Sequence, residues 1–151
     1  GRDQGHATLC VSLMGAFCQM AYSIGEDLFA YDNYRAVAMA EYVGKYNLIK
    51  DESFNKGTLV GDDFIYDSNS FPYTSYSNPS YTNATISTEQ RGTKRPSWEL
   101  FYGYCKEKGI SSLYSEKWAD QMRPDGGGGN YGPNSGGFDQ LGFGTLMHYR
   151  E

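Results

Sequence analysis

The stretch at residues 6–22 constrains the fold most. Its apolar side chains lie on more than one helical face, with Leu9, Leu13, Phe17 and Met20 on one and Cys10, Met14, Cys18 and Ala21 beside it. A helix apolar all round is expected to be buried. Gly25 ends it, and residues 27–32 form a turn into a second helical run at 33–47, whose apolar set includes Val37, Ala38, Met39, Ala40, Tyr42, Val43 and Tyr46. Two such helices joined by a short link predict a helical hairpin inside a larger helical array, because alone they would leave apolar surface exposed.

Residues 51–96 break this pattern. Ser, Thr, Asn, Asp and Pro alternate there with Phe64, Tyr66, Phe71, Tyr73, Tyr76 and Tyr81, which reads as one long excursion with a short strand at 58–67. The recurring aromatics argue against simple disorder. Helix resumes at residue 96 or 97, where Ser97 is placed to cap and Trp98, Tyr102 and Cys105 share a face; Gly109 ends it. A short helix follows at 113–122. After a glycine-rich loop, a last helix at 138–149 is apolar through Leu141, Phe143, Leu146 and Met147. The expected fold class is all-α: residues 1–151 form the carboxy-terminal part of one domain of helical hairpins with long loops.

A net charge of −5 opposes a polyanion at long range and makes nucleic acid an unlikely partner. An anionic ligand would depend on locally placed cations, for which Arg2, Arg35, Arg91, Lys94, Arg95 and Arg123 are available. The fourteen tyrosines offer flat apolar faces with hydroxyls, which suit a sugar-binding cleft and an ordinary core equally. Cys10, Cys18 and Cys105 have no metal-ligand spacing and read as buried free thiols. A Cys10–Cys18 disulfide is disfavoured because one straight helix would hold the pair roughly 12 Å apart. No metal or cofactor is expected, and no apolar stretch is long enough to cross a membrane.

The densest polar cluster opens the chain, where Arg2, Asp3, Gln4 and His6 precede or enter the apolar helix. Arg2 and His6 are one helical turn apart, so a guanidinium able to bind a carboxylate stands near an imidazole able to exchange a proton. The competing reading is structural, with Asp3 as a cap or paired with Arg2 and His6 bonded to a backbone carbonyl. Asp32, Asn33, Tyr34 and Arg35 form a second cluster near the far end of the hairpin. The glycine-rich loop lacks the Lys-Ser/Thr ending of a phosphate loop. Its glycines permit close backbone approach to a ligand, which makes Asn130 and Tyr131 candidate sugar contacts.

The runs GRDQGHATL at 1–9 and EDLFAYDNYRAVAMAEYVGKYNL at 26–48, then RPSWELFYGYC at 95–105 and GGGGNYGPNSGGFDQLGFGTLMH at 126–148, resemble the alginate-lyase domain family. The resemblance covers most of the chain except residues 51–94. It implies part of an incomplete (α/α) toroid of helix pairs and cleavage of a 1,4-linked uronate polymer, such as alginate or glucuronan, by β-elimination; with no metal-ligand cluster in the sequence, the chemistry is expected to be metal-independent. It further implies that an amino-terminal portion of the same protein carries earlier helices that supply an Asn and a His. Under an ungapped alignment, the position where such lyases carry a catalytic tyrosine is Leu9, which leaves Tyr34, Tyr102 and Tyr131 as alternatives.

Taken together, the expected catalytic residues are Arg2, His6 and Tyr34, and the expected substrate-binding residues are Gln4, Arg35, Trp98, Tyr102, Asn130 and Tyr131. The substrate class implies a secreted or periplasmic protein. The rivals are a non-catalytic carbohydrate-binding toroid and a glycoside hydrolase, which would need two carboxylates flanking the bond.

Overall fold

Asp3 starts the first helix. Its backbone is extended (φ −154°, ψ 164°), and its carboxylate accepts the backbone N–H of His6 at 2.8 Å, satisfying one of the donors that a helix start leaves unpaired. The computed structural model describes residues 3–48, 73–74, 82–83, 89–125 and 144–150. Helix α1 spans Gln4–Ser23, α2 Tyr31–Asn47, α3 Trp98–Lys108, α4 Leu113–Met122 and α5 Gly144–His148. A two-residue antiparallel pairing joins β1 (Tyr73–Thr74) to β2 (Thr82–Asn83) within the long excursion. The strand expected at 58–67 lies outside the described residues, as does the first part of the helix expected at 138–149. The chain is otherwise all-α among the described residues. The four longer helices neighbour one another in the cyclic order α1, α2, α4, α3, and α5 rests on α3.

α1 ends where Gly25 takes a left-handed conformation (φ 93°) and the N–H groups of residues 24–26 turn back onto Ala21 and Tyr22. Its burial differs from the expectation. Val11, Gly15 and Cys18, with Thr8 and Ser12, face α2 and α3, whereas Leu13 (48% exposed), Phe17 (55%) and Met20 (63%) face outward with Cys10 and Met14. Among the described residues α1 packs chiefly on α2 and α3, and one apolar stripe is exposed. All three cysteines are free; Cys10 is exposed, and burial pushes the thiols of Cys18 and Cys105 up, the latter to about 11.

The α1–α2 link is anchored by Phe29. This fully buried ring stacks on Tyr104 at 4.4 Å and meets Phe101 edge-on at 5.7 Å. Asp27 accepts the Ala30 N–H at 3.1 Å and the Tyr104 hydroxyl at 2.9 Å, so one carboxylate closes the turn and ties it to α3. Asp32, Asn33 and Tyr34 have left-handed backbones (φ 48°, 56° and 61°), so regular right-handed helix begins at Arg35 rather than at residue 33.

At the centre, Trp98 of α3 stacks on Trp118 of α4 at 5.2 Å, and Trp118 Nε1–H donates to the Gly44 carbonyl of α2 at 3.0 Å. Ser112 does not cap α4 through its side chain; Glu41 of α2 instead accepts the N–H groups of Tyr114 and Ser115 at 3.0 and 2.8 Å. Ser97 likewise does not cap α3: its hydroxyl bonds that of Ser12 at 2.6 Å, joining α3 to α1 in the interior.

Helix α5 is tied down by Thr145 within it and by Arg150 just after it. Thr145 donates to Glu99 at 3.1 Å, and Arg150 reaches Gln19 at 2.9 Å and pairs with Glu107. The Tyr22 hydroxyl, followed by Arg150, holds the Glu107 carboxyl down at about 2. Gly103 makes room for this segment, since a Cβ there would stand 3.0 Å from the His148 carbonyl oxygen.

α1 and α3 approach at Gly15, where a Cβ would lie 2.7 Å from the buried Phe101 ring. Gly15→Ala is expected to destabilise the chain by roughly 1–2 kcal/mol, because overpacking exceeds the gain in helix propensity. Urea denaturation checks this, and an unchanged midpoint would contradict the close approach.

Candidate functional site

The antiparallel hairpin brings the start of α1 beside the end of α2, and a buried amide joins them. Asn47, fully buried, donates through Nδ2 to Gln4 Oε1 at 2.8 Å and to the Val43 carbonyl at 2.9 Å, while its Oδ1 accepts the Gly92 N–H at 2.9 Å. The Gln4 N–H donates to the Glu89 carbonyl at 2.8 Å, and Gly5 leaves space for the Gln90 side chain. The turn at residues 89–92 is thereby docked onto the start of α1. Nothing in the local pattern of residues 44–48 marks Asn47 as this junction, because two of its three partners, Gln4 and Gly92, lie on other segments.

His6 stands on that platform with its side chain 60% exposed, next to an Asp3 side chain only 3% exposed. Its Nδ1 lies 2.8 and 2.9 Å from the two Asp3 carboxylate oxygens. Asp3 therefore serves both the backbone of α1 and the imidazole. A buried carboxylate on one edge of an exposed imidazole, with a fixed backbone, is an arrangement suited to proton exchange by the ring.

The docked turn also brings positive charge to this end. Arg91 stacks over the Tyr46 ring, 3.8 Å from its centroid, and its Nε–H donates to the Tyr46 carbonyl at 2.7 Å. Lys94 and the largely buried Arg95 follow directly in sequence. Arg91 and Lys94 are half-exposed, and the Tyr46 carbonyl and ring hold Arg91 in place.

The remaining expected site residues scatter. Arg2, Asn130 and Tyr131 lie outside the described residues. Gln4 is 4% exposed and engaged with Asn47, so its amide joins helices and is not presented to a ligand. Trp98 is 1% exposed and stacked on Trp118, so its ring packs the core and forms no sugar-facing wall. Tyr34 and Arg35 sit at the start of α2, roughly 18 Å along the helix from Asn47 by its rise per residue, which separates them from His6. Arg35 pairs there with Asp32 at 2.9 Å and borders an apolar groove formed by Met14, Phe17, Leu28 and Tyr31.

Tyr102 is half-buried, and the guanidinium of Arg123, which directly follows α4, lies 5.2 Å from its ring centroid. Desolvation, followed by Glu116, raises its hydroxyl above the usual tyrosine value, which favours the protonated form over a phenolate base. Arg123 is held in turn by the buried Glu99 at 3.0 and 3.2 Å and by Asp120. Desolvation, with Arg150 acting in the same direction, lowers the His148 imidazole below the usual histidine value.

No protein family, no curated protein and no solved structure matches the chain.

The junction has a measurable consequence. Asn47→Ala would leave Gln4 Oε1 and the Gly92 N–H without their buried partner, and is expected to cost roughly 1–3 kcal/mol. Hydrogen exchange at Gly92 and Gln4 should accelerate in that variant more than exchange in the α3–α4 core.

Proposed function

We propose that the chain is part of a polysaccharide lyase that cleaves a 1,4-linked uronate polymer, alginate or glucuronan among them, by β-elimination. The observation that carries this reading is the exposed His6 imidazole held on the buried Asp3 carboxylate at the start of α1. Elimination requires removal of the weakly acidic proton at C5 of a uronate, neutralisation of the adjacent carboxylate and protonation of the departing oxygen at C4. His6 supplies the proton-transfer group. Arg2, which precedes Asp3, is assigned to the substrate carboxylate, and Arg91 and Lys94 contribute positive charge at the same end. The sequence resemblance to the alginate-lyase domain family points to the same chemistry, and this substrate class fits a secreted or periplasmic protein.

A second reading, a carbohydrate-binding toroid without catalysis, is favoured by Leu9, which stands where related lyases carry a tyrosine. Tyr102 faces Arg123 and Tyr34 lies at the opposite end of α2 from His6, and neither position adds support for a tyrosine base beside His6.

The larger (α/α) array belongs to the same proposal, with an amino-terminal portion of the protein as the neighbour of α1. Cys10, Leu13, Phe17, Met20 and Ile24 follow one another at alternating steps of three and four and are exposed, which is the spacing of a seam between packed helices. The helix carries no Asp, Glu, Lys or Arg that would oppose such packing.

Incubation of the protein carrying its complete helical array with several polyuronates should raise ultraviolet absorbance, because elimination creates a conjugated double bond and hydrolysis does not. Arg2→Ala and His6→Ala should each reduce the rate by roughly 100-fold or more with the fold retained. Wild-type rates in both would remove these residues from the mechanism; binding without absorbance would favour the non-catalytic reading. For the seam, Phe17→Glu should leave the stability of the 151-residue chain within about 0.5 kcal/mol and reduce its self-association in light scattering. Strong destabilisation of this chain by that substitution would show that Phe17 is already covered.

A further inference from the structure

We propose that Asp3 is a positioning residue that fixes His6 as the Nδ1–H tautomer, making Nε2 the proton-accepting atom. This assignment rests on the lyase reading for its catalytic meaning, but the tautomer itself follows from the geometry. Both Asp3 oxygens lie within 2.9 Å of Nδ1, and an ionised carboxylate can only accept hydrogen bonds. The nitrogen facing it must therefore carry the proton. The helix start reinforces the arrangement, since Asp3 also accepts the His6 backbone N–H and stands where the helix dipole favours negative charge. Its side chain is 3% exposed, so water screens the pair little, whereas the His6 side chain is 60% exposed.

The role follows from proton balance. Nε2 takes the proton from C5 of the uronate, and the C5–H electron pair becomes the new C4=C5 double bond. The C4–O bond breaks with its electrons on the leaving oxygen, which is protonated by the imidazolium or by water. During the step the ring is a cation, and the Asp3 carboxylate on Nδ1–H stabilises it without taking the proton itself. Asp3 touches no substrate atom. It acts through His6.

The test uses two substitutions that retain a capping side chain, Asp3→Asn and Asp3→Ser. The chain has two histidines, so ring nitrogen resonances in long-range ¹H–¹⁵N correlation spectra can be assigned to His6 or His148 with a His6→Gln control. In the wild type, neutral His6 should be protonated at Nδ1. In both variants that preference should be lost, because the Asn amide can present either its oxygen or its NH2 and the Ser hydroxyl can donate or accept. With a polyuronate, kcat should fall by roughly 100-fold or more while KM stays within about threefold. A wild-type ring protonated at Nε2 would overturn the proposal, as would variants whose tautomer and kcat match the wild type, which would leave Asp3 as a helix cap only. Should the wild type produce no chromophore from any polyuronate, the elimination reading fails, and the tautomer result alone then decides whether Asp3 positions His6.

Discussion

The stacked pair of Trp98 and Trp118 against Gly44 is the contact on which the helix arrangement depends. Two indoles with an interplanar angle of 11° require a neighbour without a side chain, and Gly44 provides it: a Cβ there would lie 3.2 Å from the Trp98 ring and 3.3 Å from Tyr114. One contact thereby sets how closely α2, α3 and α4 approach. Aromatic burial is large per residue and stacking adds to it, so this centre outweighs any single polar bond at the surface. Gly15 repeats the device between α1 and α3, where the Phe101 ring occupies the space of an absent side chain. Together the two glycines determine where α1 lies, and hence where its first turn presents Asp3 and His6.

Polar groups inside this frame act as joints. Glu41 reaches from α2 to the first turn of α4, Ser12 meets Ser97, and Asn47 links α1, α2 and the turn at 89–92. Each is buried or half-buried, so its partner must be correctly placed or a desolvated group goes unsatisfied. These joints explain how an exposed imidazole can be held in one orientation at a helix start. They also explain the grouping of Arg91 with the His6 end, although more than eighty residues separate them in the chain.

Much of the helical layout was legible in advance. Gly25 and Gly109 stop helices because left-handed backbone is accessible to them, and α4 occupies the expected 113–122. The hairpin was legible because apolar periodicity over a dozen or more residues is a strong local signal. The start of α2 was not, since Asp32, Asn33 and Tyr34 take left-handed conformations that no spacing reveals. Nor was the covered face of α1: several of its faces are apolar, and periodicity cannot choose among them.

The amino-acid sequence by itself determined the approximate course of α1, α3 and α4, the pairing of α1 with α2, and that a charged cluster with a histidine stands at the first helix start. Those features depend on local propensity, capping and spacing. Tertiary structure alone decided the use of each side chain: Trp98 packs a core, Gln4 binds Asn47, Ser97 meets Ser12, and His6 remains outward on Asp3. The reason is that burial and hydrogen-bond partnership arise between segments far apart in the chain, and a sequence pattern carries no distance between them.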